Sequence, residues 1–120
     1  MHEYLKDFKD LIIWQKGMII AEKCFFLTQK FPKEELYGMI QQIRRASSSI
    51  PANISEGYGR RSPGDYKRFL NIAQGSVNEL QTFLILATRV HLCTEKEVEL
   101  ILENLKEETR MISSLINKLS

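Results

Sequence analysis

A chain of 120 residues and 14.0 kDa, 43% hydrophobic and 27% charged, has the composition of one globular domain, which excludes a disordered or collagen-like polymer. Its formal charge of +2, from 17 Lys and Arg against 15 Asp and Glu, is too small to identify a nucleic-acid or membrane partner by itself. Cys24 and Cys93 lie far apart with no Cys-x-x-Cys spacing, so neither a disulfide framework nor a zinc site is indicated, and a reducing cytoplasm is the expected compartment. Met1 to Asp10 lacks the apolar run of a signal peptide, and no stretch approaches the ~20 apolar residues of a membrane span.

Three prolines and six glycines leave long uninterrupted segments, which favours helices. The first is predicted over 11–30, with Asp10 as N-cap and Leu11, Trp14, Met18, Ala21 and Phe25 along one face. Phe31-Pro32 ends it, because the residue before proline is pushed out of the α region. A second helix is expected over 35–58, with Leu36, Met39, Ile43, Ser47, Ile50, Ile54 and Gly57 inward. Pro51 either kinks this helix or splits it; the unbroken phase of Ile43, Ile50 and Ile54 favours one helix kinked at Pro51.

The third helix, 63–91, opens with Ser62 as N-cap, Pro63 at the first helical position and Asp65 three residues after the cap. The fourth, 95–119, opens on the capping pair Thr94 and Glu97 and carries Val98, Ile101, Leu102, Leu105, Ile112, Leu115, Ile116 and Leu119. Four long amphipathic helices with short connections in a single domain, 1–120, predict an all-α, antiparallel up-down-up-down four-helix bundle. A turn near Arg60 and Arg61 would pair Ala46 and Ser47 with the small residues Gly75 and Ser76. It would also place Asn71 opposite Pro51, to donate to the carbonyl that the proline leaves unpaired, and Glu79 opposite Arg44 and Arg45 as an interhelical ion pair.

Helix one carries more apolar residues than one face needs. Ile12, Ile19 and Phe26 repeat every seven positions, and so do Ile13, Ile20 and Leu27. These six either widen the core contact or form an oligomer interface; at about 1.5–3 kcal/mol for each large side chain buried, the interface is the favoured reading.

Charge is unevenly distributed. Between Gln41 and Arg68 six basic residues, Arg44, Arg45, Arg60, Arg61, Lys67 and Arg68, face two acidic ones, a net +4 that leaves −2 for the rest of the chain. Arg60 and Arg61 precede the N-terminus of helix three, where free amides favour an anion, and Tyr58 and Tyr66 lie near enough in sequence to stack on a base. The competing reading is that these arginines make structural ion pairs.

No arrangement reads as catalytic, and no cofactor or metal is expected. The only histidines, His2 and His91, lack Glu-x-x-His spacing. Gly57-Tyr58-Gly59-Arg60-Arg61-Ser62 follows a helix and lacks the Gly-Lys-Ser/Thr ending of a phosphate loop. Ser47, Ser48 and Ser49 have no His and carboxylate at helical spacing to activate them.

The blocks Leu11-Ile12-Ile13-Trp14-Gln15-Lys16, Phe31-Pro32-Lys33-Glu34-Glu35-Leu36-Tyr37-Gly38, Gln42-Ile43-Arg44-Arg45-Ala46, Ser49-Ile50-Pro51-Ala52-Asn53-Ile54-Ser55-Glu56-Gly57 and Gly59-Arg60-Arg61-Ser62 occur in this order, followed by Phe69-Leu70, Ala73, Gly75-Ser76 and Glu79-Leu80. Together they resemble the four-helix bundle proteins encoded by intervening sequences in bacterial 23S rRNA genes, a family related to the accessory protein of diversity-generating retroelements. The resemblance implies a bacterial cytoplasmic bundle that assembles into a ring-like homo-oligomer, a homopentamer. In the retroelement relative the basic ring binds nucleic acid and a reverse transcriptase. Two functions are therefore expected as alternatives: an oligomeric accessory factor binding structured RNA or DNA through its basic corner, or an oligomeric scaffold for another protein with no nucleic-acid role.

Overall fold

Helix boundaries in the computed structural model, which describes residues 6–119, follow local chemistry. Asp7 and Asp10 cap a 3-10 turn, Phe8–Asp10, reciprocally, so Asp10 serves this turn and not the helix that follows. α1 (Ile12–Thr28) starts at Leu11 with no side-chain cap. Phe8 packs edge-on against Trp14, with ring centroids 5.3 Å apart, and pins the turn to α1.

Between α1 and the next α-helix the chain makes a 3-10 turn, Lys33–Glu35, and a π turn, Leu36–Ile40. α2 (Gln41–Tyr58) then runs through Pro51 without interruption. One helix thus continues through Pro51, as expected, and it is at Gly38 (φ −113°, ψ −110°) that the backbone leaves helical geometry. Pro51 is buried, its Cβ 3.5 Å from where a side chain on Gly17 would begin, so its ring packs where α1 has least bulk.

α3 (Pro63–Arg89) is capped as its sequence requires, with Ser62 Oγ accepting from the Asp65 amide at 3.1 Å. It ends on His91 in the left-handed region (φ 66°), which lets the Leu92 amide reach back to the Ala87 carbonyl at 2.9 Å. α4 (Glu95–Lys118) opens on the Thr94–Glu97 capping box.

The four helices form an up-down-up-down bundle 45 × 23 × 21 Å in extent, and no strand occurs among the described residues. Ile20, Cys24, Ile43, Ile50, Ile54, Leu70, Leu80, Leu84, Leu105 and Ile112 are wholly or almost wholly buried along its axis. Polar ties mark its edges. Lys16, Lys23 and Lys30, seven residues apart on α1, reach Glu107, Asn104 and Glu97 of the antiparallel α4 at 3.1, 2.9 and 3.4 Å.

The register between α2 and α3 is slightly offset from the expected one. Ser49 Oγ meets Ser76 Oγ at 2.8 Å, and the helices come close at Gly57, where an added Cβ would lie 2.9 Å from Phe69 Cβ. Gly75 is exposed with open space around it, so its expected part in the close approach is corrected. Asn71 likewise does not serve Pro51; its Nδ2 donates to the Lys67 carbonyl of its own helix at 3.0 Å.

The expected core face of α1 is corrected in part. Its core face is Ile13, Gly17, Ile20, Cys24, Leu27 and Thr28, with Leu11 and Ala21 also buried, while Met18 and Phe25 are exposed. Ile13, Ile20 and Leu27 therefore belong to the chain's own core and are withdrawn as interface residues. The reason lies in residue size: Gly17, Ala21, Cys24 and Thr28 let α2 and α4 come close, and neighbouring helices settle where bulk is least.

Candidate nucleic-acid interface and apolar face

The six basic residues do not form one site. Arg44 and Arg45 sit near the start of α2 and Arg60 and Arg61 beyond its end, ~22 Å away at 1.5 Å per residue. Arg44 Nε donates to Thr28 Oγ1 at 2.8 Å, and its guanidinium lies 4.6 Å from the centre of the Phe25 ring. Arg45 Nη2 donates to Glu79 Oε2 at 2.6 Å and to Gln42 Oε1 at 2.9 Å, the interhelical ion pair that the sequence suggested. That exposed pair ties α2 to α3 and contributes on the order of 0.2–1 kcal/mol.

At the α2–α3 turn the arrangement is more concentrated. The guanidiniums of Arg60 and Arg68 lie 4.8 and 4.4 Å from the centre of the Phe69 ring. Each is also held by a carboxylate of its own helix or turn, Arg60 by Glu56 at 2.6 Å and Arg68 by Asp65 at 3.7 Å. Arg61 is exposed and makes no ion pair among the described residues, while Lys67 is half-buried. Tyr58 and Tyr66 pack edge-to-face at 6.2 Å against the core, and burial, with Tyr58 beside it, pushes the Tyr66 phenol up to about 12. They are committed to the fold rather than displayed for stacking.

The outer surface of α1 is apolar along two stripes. Ile12, Ile19 and Phe26 form one, with Ile12 56% and Phe26 64% exposed. Trp14, Met18 and Phe25 form the other, and Gln15, Glu22 and Gln29 run between the two. The second stripe overhangs a groove of ≈ 520 Å³ whose far wall is the small side chains of α2: Ser48, Pro51, Ala52 and Ser55. Reading Trp14, Met18 and Phe25 as core hid this groove in the sequence, because α1 is apolar on nearly every side.

Glu108 is the other residue that sequence reasoning passed over. It is fully buried, and neither carboxylate oxygen has a hydrogen-bond partner among the described residues. Oε2 lies 3.2 Å from where a Cβ on Gly17 would stand. Burial pushes its carboxyl up to about 8, against the pull of Lys16 and with the aid of Glu107. A signal existed: the stripe Ile101, Leu105, Ile112 has position 108 in its phase, and a glutamate occupies it.

Cys24 is buried and its thiol is pushed up to about 12 by desolvation, the opposite of what a nucleophile needs. Among the described residues no three His, Cys, Asp or Glu side chains gather as a metal site; His2 lies outside them. Among the described residues no helix is long and apolar enough to cross a membrane.

An antiparallel four-helix bundle with an apolar outer helix and a basic turn defines the class. The sequence profile of the family described as 23S rRNA-intervening sequence protein matches residues 9–114, and the chain belongs to that family. A crystal structure from Bacteroides thetaiotaomicron, described as a protein with unknown function from the S23 ribosomal protein family, is similar to it at a TM-score of 0.78 and 27% identity. The match covers 88% of this chain and 98% of that one. A search of curated proteins found no significant match.

Proposed function

We propose that this protein is a non-enzymatic, cytoplasmic assembly bundle whose working surface is the outer face of α1, and that its first partner is another copy of itself. The observation that carries this reading is that α1 completes its core packing with one face and still exposes Ile12, Met18, Ile19, Phe25 and Phe26. A stable interface takes about 800 Å² from each partner, roughly a tenth of this chain's surface of 7486 Å². Five large side chains and the groove beside them supply that area. The homopentameric ring implied by the family resemblance is one closed form such a contact can take.

Light scattering of the wild type at micromolar concentration should give a mass several times 14.0 kDa. Phe26→Asp combined with Ile19→Asp should reduce it to one chain while leaving the helical circular dichroism intact, because both side chains are exposed. A wild type that is monomeric throughout would end this reading.

A second reading rests on the α2–α3 turn. Arg60 and Arg68 are held rigid around Phe69, beside the unpaired Arg61, and in an oligomer each such corner is repeated, so that weak phosphate contacts with structured RNA or DNA add. The accessory role beside a reverse transcriptase belongs to this reading. RNA affinity should then fall steeply with salt, and Arg60→Ala with Arg61→Ala should flatten the slope by up to about 2. No binding at low salt leaves the protein-scaffold role alone.

A further inference from the structure

We propose that Glu108 is a proton-operated latch: in its neutral form it lets α4 close against α1 and α2, and in its ionised form it drives α4 to open while the other three helices stay packed. The geometry is that of a carboxyl enclosed on every side. Gly17 of α1 leaves the space that its oxygens fill, and Ile50 and Pro51 of α2 bound that space with hydrocarbon. No N–H or O–H donates to either oxygen, so a negative charge there has no hydrogen-bonding compensation.

The charged groups facing it are few. From α1 there is Lys16, whose ammonium is already 3.1 Å from Glu107, and from α4 there is Glu107 itself, a like charge. From α2, the apolar Ile50 and Pro51 border the space at Gly17. α3 meets the neighbouring turn of α4 with Gln74, whose Nε2 donates to the Thr109 carbonyl at 3.0 Å and to Ser113 Oγ at 2.8 Å, while its Oε1 is buried without a partner. Unsatisfied buried polar side-chain atoms among the described residues thus all lie on the surface that α4 closes. The α2–α3 contact, by contrast, is tightly packed at Gly57 and closed by the Ser49–Ser76 and Arg45–Glu79 bonds. Opening α4 gives the carboxylate water without disturbing that contact.

Hydrogen–deuterium exchange on the full chain at pH 5, 6, 7 and 8, corrected for intrinsic rates, tests the latch. The carboxyl titrates near 8 when enclosed and near its ordinary value when α4 is open. The opening equilibrium of α4 amides around Leu105 and Ile112 should therefore rise about tenfold per pH unit across this range. Amides of α2 and α3, which exchange only on global unfolding, should stay better protected than those of α4 at every pH, and Glu108→Gln should remove the pH dependence. Should the buried amide of that variant prevent folding, Glu108→Leu provides the same comparison. A response that survives in the variant, or α4 amides protected as strongly as those of α2 and α3, overturns the proposal.

Discussion

Wild-type protein should become easier to unfold with urea as pH rises from about 4.5 to about 8, and Glu108→Gln should abolish that trend. Below the lower value the carboxyl is protonated in both the folded and the unfolded chain and contributes no pH dependence. Between the two values the unfolded chain has released the proton that the folded chain retains, so each pH unit costs the folded state about 1.4 kcal/mol. Above about 8 the folded carboxyl ionises as well and the loss levels off. The full span is on the order of 5 kcal/mol, a large share of a small domain's stability. Glu108→Leu, which removes the buried polar atoms as well, should match or exceed the wild type at every pH. A wild-type profile that is flat from pH 5 to 8 would mean that the carboxyl has a partner when folded.

Gly57→Ala and Gly75→Ala should have opposite signs. At Gly57 an added Cβ would stand 2.9 Å from Phe69 Cβ, 3.0 Å from Tyr66 Cδ1 and 3.2 Å from the Tyr66 carbonyl oxygen. Phe69 Cβ and the Tyr66 backbone cannot swing aside, so α2 and α3 must separate at their turn. The overpacking should cost about 1–3 kcal/mol, net of the better helix propensity of alanine. At Gly75, exposed in the middle of α3 with nothing within 4 Å, the same methyl should stabilise by up to about 1 kcal/mol. Urea midpoints with an unchanged slope measure both. Two substitutions of equal sign would mean that the α2–α3 register differs from the one described.

The basic residues illustrate how far sequence reading reaches. That Glu79 would pair with an arginine of α2 followed from antiparallel arithmetic, which set it opposite Arg44 with Arg45 in reach; the structure gives the pair to Arg45. That Arg60 and Arg68 would share one aromatic ring did not follow, because it depends on the turn's path and on Phe69 turning back towards it. The same limit explains Asn71. Its register brought it near Pro51, but its side chain takes the nearer carbonyl in its own helix.

Apolar period, Ser62 and Thr94 caps and short connections were by themselves enough to determine four antiparallel helices, since each of those signals acts within a few residues. Which face of α1 is buried was decided only by the tertiary structure. A helix apolar on nearly every side has no preferred phase of its own, so the orientation was settled by the bulk of its neighbours: Gly17 and Cys24 turn inward where α2 and α4 press closest, and Met18, Phe25 and Phe26 turn outward. Glu108 has the same origin. Its position in α4 was legible as a polar residue in an apolar phase, but its isolation exists only because three helices close over it, and the energy of a buried charge depends on what surrounds it in space rather than in sequence.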